Sequence, residues 1–370
     1  MFRTFLITLG LALGGQVRGE EAPLDLPALL EKIRAKHNLP ALAAAGMRDG
    51  KLLASGAVGT RRLEGKEAVT LEDKWHVGSC TKSMTATLAA LFVEQGKLKW
   101  ETRVEEVFPH WKAKLHPDWR EATLEQLLTH RAGAPGDPPP ELWRAAWQQR
   151  GTPRAQREEF ALGVLTRAPE AKPGAKFIYS NQGYAIAGAM LEQLGGKPWE
   201  ELMRTLLFEP LGMKSAGFGA PGSKARVDHP WGHSAKGSDP QAPGPKADNP
   251  PAIGPAGTVH CSIEDFARYA ALHARGEKEG GLGLPAAAFE KLHTPHPNGE
   301  YAFGWGAVKR GWAGGFALTH AGSNTLWFAV VWVAPEKNAA FVAATNIAGE
   351  SATRGCDDAV AALIRQHLPK

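Results

Sequence analysis

The sequence predicts an α+β fold: one antiparallel sheet built from the two ends of the chain, flanked by helices, with a helical insertion between the halves. Three observations lead there. Short apolar runs cluster near the N terminus, over 41–47 and 51–57, and again near the C terminus, over 315–319, 326–333 and 339–345. Asp49-Gly50, between the first two runs, is a tight-hairpin signal. The middle of the chain instead carries apolar residues at helical spacing.

The first residues combine an early positive charge, Arg3, with an apolar core too short to span a bilayer, the pattern of a secretory signal peptide over residues 1–19. Val17-Arg18-Gly19 offers small residues at the two positions a signal peptidase reads, so the mature chain is expected to start near Glu20. No cysteine follows the apolar core, which argues against a lipid anchor, and no later stretch is long and apolar enough for a transmembrane helix. The expectation is an exported protein, periplasmic or extracellular.

Residues 20–370 read as a single domain with a mainly helical part at about 83–230. A helix over 26–38 precedes the two N-terminal strands. Met84, Leu88, Leu91 and Phe92 recur at helical spacing, and Gly96 stops that helix. Further helices are expected over 124–129, 141–149, 155–165, 182–194 and 199–207. Residues 214–257 break the pattern with clustered Pro, Gly, Asp and Ser, and so long a loop in a compact chain is usually functional or disordered. A helix over 263–273 leads into the three C-terminal strands, a meander, and a last helix over 356–368 packs across them.

The formal charge is +5, and without Arg3 and Arg18 the mature chain keeps about +3, with both signs interspersed. That is a mixed solvated surface. One aromatic and basic patch, Trp111-Lys112-Ala113-Lys114, gives little support for nucleic-acid binding. Of the three cysteines, Cys80 reads as a small buried residue; Cys261 and Cys356 are the remaining pair, which an oxidising compartment would permit to bond.

Ser79-Cys80-Thr81-Lys82 is the only Ser-x-x-Lys in the chain and sits where a helix should begin. Residues three apart on a helix stack on one face, so a hydroxyl meets an amine. Such a motif arises by chance about once or twice in a chain of this length, so position matters more than the pattern. Tyr179-Ser180-Asn181 is more informative. With four tyrosines in the chain, a Tyr-x-Asn is expected in roughly one such sequence in ten. In extended backbone residues i and i+2 point the same way, so phenol and amide face one pocket; the alternative is Asn181 as a helix N-cap with Tyr179 packed below it. His320-Ala321-Gly322-Ser323 closes the first strand of the meander, where a glycine lets a substrate lie along the strand edge. His76-Val77-Gly78 has the same form and reads simply as a strand end before Ser79.

Serine, lysine, tyrosine, asparagine and a strand-borne His-x-Gly in this order resemble the serine β-lactamase and penicillin-binding-protein superfamily, and most closely its class C β-lactamase, DD-peptidase and esterase branch. Leu127-Leu128-Thr129-His130-Arg131-Ala132-Gly133, Phe208-Glu209-Pro210-Leu211-Gly212-Met213, Gly257-Thr258-Val259-His260-Cys261-Ser262 and Phe303-Gly304-Trp305-Gly306 are similar to segments of that branch too. The resemblance spans roughly residues 27 to 367 and implies a β-lactamase/transpeptidase-like fold. It implies that Ser79 is a nucleophile forming an acyl-enzyme. It gives the base function to Lys82 and Tyr179 together, and the oxyanion hole to the backbone N–H groups of Ser79 and Ser323. Asn181 would hold a substrate carbonyl and contact Lys82, with His320 and Gly322 on the opposite wall. The physical problem is the proton on Ser79: a free lysine of pKa about 10.4 is neutral in about one molecule in 2,500 at pH 7, a penalty of roughly 4.6 kcal/mol. Lys82 and Tyr179 therefore share the role with coupled protonation, and the sequence leaves the holder of the proton open.

His320-Ala321-Gly322 stands where most β-lactamases carry Lys-Thr/Ser-Gly, which argues against efficient antibiotic hydrolysis. The expected function is an exported serine hydrolase acting on an amide, peptide or ester, DD-peptidase-like or carboxylesterase-like, with cell-wall peptide among its substrates. A β-lactamase is one alternative, and a non-catalytic binding protein on the same scaffold is another. No cofactor is implied. The tryptophans Trp143, Trp147 and Trp327 are candidates for apolar cleft walls. There is no Gly-x-Ser-x-Gly elbow. In His229-Pro230-Trp231-Gly232-His233, proline and glycine rule out a helical two-histidine metal site.

Overall fold

The computed structural model describes residues 25–235 and 239–368. The expected signal peptide lies outside them, as does the start of the Gly237-Ser238-Asp239-Pro240 loop. Six strands form the main sheet: β1 (Ala41–Arg48), β2 (Lys51–Gly59), β3 (Gly306–Arg310), β4 (Gly315–Ser323), β5 (Phe328–Ala334) and β6 (Ala339–Thr345). Their spatial order is β2-β1-β6-β5-β4-β3 and every neighbouring pair is antiparallel. The two ends of the chain thus meet at the β1–β6 pair, in a register that sets Ala44 opposite Ala343. The hairpin between β1 and β2 turns at Asp49 (φ 50°) and Gly50 (φ 73°), the positive φ values its Asp-Gly sequence favours.

Five helices frame the sheet and the site: α1 (Leu26–Lys36), α2 (Thr81–Glu94), α3 (Asn181–Gly195), α4 (Ile263–Glu279) and α5 (Glu350–His367). Side chains of a strand alternate between faces, and β1 buries both sets. Leu42 and Ala44 join Leu30, Phe341 and Leu363 under α1 and α5, whereas Ala43 and Ala45 join Phe266, Ala270 and Val331 under α4. Small residues on β1 let helices approach both faces closely. Cys356 belongs to the first of these cores and Cys261 to the second, on opposite sides of the sheet, and all three cysteines are free and buried.

The sequence reading shortens α4 by six residues and starts α5 six residues late. It omits strand β3 and the helix Ala286–His293. Of the small sheet that pairs Val259–Ser262 with Lys74–His76 and with Gly217–Phe218, it reads only the strand end at His76. Strands of two to five residues flanked by glycine are too short for their periodicity to register. The 214–257 segment is largely irregular, as its composition suggests, but it is pinned by the short strands Gly232–His233 and Pro240–Gln241 and by a helical turn at Gly254–Gly257.

Candidate active site

Strand Lys74–His76 runs into a tight turn at Gly78–Cys80 that becomes α2, and Ser79 sits in that turn, partly exposed. The helix behind it is buried on all sides, so its polar residues bond inward: Thr85 Oγ1 donates to Pro255 O at 2.7 Å, and Thr81 Oγ1 accepts from the Val259 N–H at 3.1 Å. These bonds tie the start of α2 to segment 255–259.

Lys82 lies one turn after Ser79 and is completely buried. Its Nζ is 3.1 Å from Ser79 Oγ and donates to Asn181 Oδ1 and to Ala256 O, each at 2.8 Å. Burial pushes its pKa down to about 7, because the charged amine loses its hydration. Tyr179 faces the same spot, with Lys82 Nζ 4.8 Å from its ring centroid. The residue is 39 % exposed overall, yet desolvation pushes its phenol up to about 12 against the pull of a hydrogen bond with Ser79.

Asn181 is the first residue of α3, and the cap is Ser180, whose Oγ accepts from the Gly183 N–H at 3.2 Å. The N-cap role open to Asn181 in the sequence therefore falls to its neighbour, leaving the amide free for Lys82. His130 fixes this segment from below. Its Nδ1 accepts from the Ser180 N–H at 3.0 Å and its ring lies 4.3 Å from that of Tyr179. Burial first, and then the nearby Lys82, hold its pKa well below the ordinary histidine value.

β4 brings His320, Gly322 and Ser323 to the other side of the turn. Gly322 is buried so close that a Cβ on it would lie 2.5 Å from Ser79 N and 2.1 Å from Val77 O. Ser323 Oγ turns away and donates to Trp327 O at 2.6 Å. His320 is buried as well: Nδ1–H donates to Ala321 O at 2.6 Å, which leaves Nε2 to accept from Tyr301 O–H at 3.2 Å. Burial, followed by Lys82, pushes its pKa down to about 4, so it is a neutral wall.

The beta-lactamase family matches residues 26–366. The chain belongs to that family. Relatives in the beta-lactamase family include "Penicillin-binding protein 4" of Amycolatopsis lactamdurans, 31 % identical over 293 residues that cover 78 % of this chain and 73 % of that one. Among solved structures, the octameric penicillin-binding protein homologue from Pyrococcus abyssi superimposes with a TM-score of 0.72 at 24 % identity, over 93 % of this chain and 78 % of that one. A class C beta-lactamase gives 0.74 at 18 % identity, over 91 % and 95 %. These likenesses show a β-lactamase/transpeptidase-like fold in a family of serine hydrolases.

The structure of this beta-lactamase-family chain brings Ser79, Lys82, Tyr179, Asn181, Gly322 and Ser323 around one turn, with His320 behind Tyr301. Trp327 is fully buried, 5.9 Å from the His76 ring, and Trp143 and Trp147 pair edge to face with each other at 5.8 Å. His233 is spent on Leu63 N and Asn346 O, and His229 on Asp73.

Sequence reasoning missed one group. His76 Nδ1 accepts from the Gly78 N–H at 3.1 Å, and its Nε2 lies 2.7 Å from Asp248 Oδ1, though off the line of a good hydrogen bond. Asp248 Oδ1 also accepts from Asn324 Nδ2 at 3.0 Å. One buried carboxylate therefore links the turn before Ser79 to the residue after Ser323. The adjacency of His76 to Ser79 was a usable signal; nothing marks Asp248 within its irregular loop.

Proposed function

We propose that this protein is an exported hydrolase that acylates Ser79 and releases the acyl group to water, acting on an amide, peptide or ester. Short D-amino-acid peptides and small carboxylic esters are the leading substrate classes. One observation carries the reading: Nζ of the buried Lys82 meets two obligate acceptors, Asn181 Oδ1 and Ala256 O, and a hydroxyl, Ser79 Oγ. A neutral amine has two N–H bonds and one lone pair. With both N–H bonds engaged by the two acceptors, the lone pair is left to accept the Ser79 proton.

With a pKa near 7, about half of the Lys82 side chains are neutral at pH 7, and most of the penalty of a free lysine is removed. This assigns the acceptor role to Lys82 within the pair. Tyr179 keeps its proton in the same range and serves as donor, passing a proton from Lys82 toward the departing amine or alkoxide. The Ser79 and Ser323 backbone N–H groups would hold the tetrahedral oxyanion, a function worth about 3 kcal/mol per donor. The name of the Amycolatopsis relative supports a penicillin-recognising or peptidase ancestry, and that of a more distant one, "Unguisins hydrolase ungD'" of Aspergillus campestris, supports hydrolysis; this chain spans 47 % of the latter's length. The signal-like residues 1–19 support export.

The test is Ser79→Ala assayed on a panel of 4-nitrophenyl esters and D-peptides, with fluorophosphonate labelling of the unsubstituted protein alongside. Turnover is expected to vanish with the circular-dichroism spectrum unchanged. Undiminished turnover by the variant sinks the reading.

A further inference from the structure

The Ala256 carbonyl that engages Lys82 lies in a stretch of proline and glycine, Pro250-Pro251-Ala252-Ile253-Gly254-Pro255-Ala256-Gly257, folded as two short helical turns. A carbonyl in such a segment keeps its direction when neighbouring elements fix the backbone around it. Thr85 is the first of these. It stands three residues after Lys82 on the same face of α2, and the two side chains donate to adjacent carbonyls: Lys82 Nζ to Ala256 O at 2.8 Å, Thr85 Oγ1 to Pro255 O at 2.7 Å. Hydroxyls inside a helix can bond back to the preceding turn. Ser83 Oγ does so to Cys80 O and Thr87 Oγ1 to Ser83 O, each at 2.9 Å, whereas Thr85 reaches out of the helix.

The second support is α3. Pro255 sits on Gly188, where a Cβ would lie 2.3 Å from Pro255 Cγ and 2.9 Å from Pro255 Cβ. One turn further along, Glu192 holds the guanidinium of the buried Arg157, from helix Pro153–Leu165, which donates to Pro251 O at 3.0 Å and to Glu200 Oε1. Asn181, Gly188 and Glu192 follow at spacings of seven and four, so they lie along one stripe of α3. That stripe presents the Asn181 acceptor to Lys82 directly, and it sets the Ala256 acceptor through Pro255 and Arg157. The placement matters because the two acceptors divide the two N–H bonds of a neutral amine and so aim its lone pair. If Ala256 O moves away, an N–H is free to turn toward Ser79, and a donor pointing there cannot take the hydroxyl's proton.

We infer that Thr85 and Gly188 are positioning residues for proton transfer at Ser79: they seat the Pro255-Ala256 peptide so that its carbonyl engages one N–H of neutral Lys82 and leaves the lone pair facing Ser79 Oγ. Neither residue touches Ser79 or a substrate in this role. The inference rests on Ser79 being the nucleophile and Lys82 its proton acceptor.

The experiment follows the rate of fluorophosphonate labelling against pH, with peptide mapping of the label to Ser79. Thr85→Val keeps the side chain's shape and removes the hydroxyl, and Gly188→Ala pushes Pro255 off α3. Each should lower the plateau rate at least tenfold. Each should also move the inflection about half a unit or more below that of the unsubstituted protein, because a carbonyl acceptor favours the charged amine and its loss favours the neutral one. A general loosening of the site would admit water and move the inflection the other way, toward a free lysine. Thr85→Ser keeps the donor and gives up a methyl, so it should recover most of the rate while Tm falls. A plateau loss smaller than tenfold in either folded variant, an inflection that stays or rises, or a Thr85→Ser variant as slow as Thr85→Val overturns the proposal. Should circular dichroism show Thr85→Val unfolded, Gly188→Ala, which puts the better helix former into α3, decides alone. Failure of the underlying assignments appears separately in the unsubstituted protein, as no label on Ser79 or as an inflection above about pH 9.

Discussion

Gly78 and Gly322 meet across the active-site turn with no room for a side chain on either. A Cβ on Gly78, whose φ is 50°, would lie 2.3 Å from Ser323 N, and one on Gly322 would lie 2.5 Å from Ser79 N. Both obstructing atoms are backbone, so neither can swing aside. The two glycines let the turn that carries Ser79 lie directly against the end of β4, with the Ser79 and Ser323 backbones on either side of the contact; on the proposed function these are the two amides that would form the oxyanion hole.

Gly322→Ala tests that apposition. The added methyl must push β4 away from the turn and separate the two amides, so kcat/KM on a 4-nitrophenyl ester is expected to fall a hundredfold or more. The six-stranded sheet should persist, with a lowered Tm. A rate within threefold of the unsubstituted protein would show that the turn does not depend on this contact.

Lys82 sets a pH dependence whose sign follows from its role. Burial lowers its pKa to about 7, and on the proposed function the neutral amine is the form that would accept the Ser79 proton. Below that pH the charged form dominates and activity falls tenfold per unit; above it activity reaches a plateau that lasts until Tyr179, pushed up to about 12, loses its proton. The acylation rate, followed by fluorophosphonate labelling, should therefore rise through an apparent pKa near 7. Lys82→Arg, permanently charged, should be inactive at every pH tested. A profile that rises only above pH 9 would place the base elsewhere.

Much of this architecture was legible before the structure. Long apolar periodicities found α1, α2, α3 and the strands of the meander, and the Ser79, Lys82, Tyr179 and Asn181 pattern picked out residues that the structure brings together, because local geometry makes those spacings meaningful. What escaped was set by tertiary contact. Ala256 holds Lys82 through a backbone carbonyl, which leaves no trace in a side-chain pattern. Ser180 took the cap because its hydroxyl reaches the Gly183 N–H, a choice between adjacent residues that propensity alone does not make. His76 has the same His-x-Gly form as His320, and only the fold shows that it grips the turn while His320 is sequestered by Tyr301.

Asp248 is the residue on which the last expectation rests. Its Oδ1 faces His76 Nε2 at 2.7 Å and accepts from Asn324 Nδ2 at 3.0 Å, while Asn324 Oδ1 accepts from the Leu326 and Trp327 N–H groups at 3.2 Å. This carboxylate thus braces the turn that carries Ser79 and the end of β4 against each other without touching the nucleophile. Asp248→Ala removes the carboxylate facing His76 Nε2 and one of the two acceptors of Asn324 Nδ2, the other being Ala247 O, at a cost of about 1–3 kcal/mol in all, and should lower Tm. If Asp248 positions the two amides, kcat should fall at least tenfold with KM little changed, because the ground-state contacts survive while the transition-state geometry loosens. Asp248→Asn, which keeps an oxygen for His76 and Asn324, should recover most of kcat. Equal losses in kcat for the two variants, or a loss confined to Tm, would reduce Asp248 to a packing role.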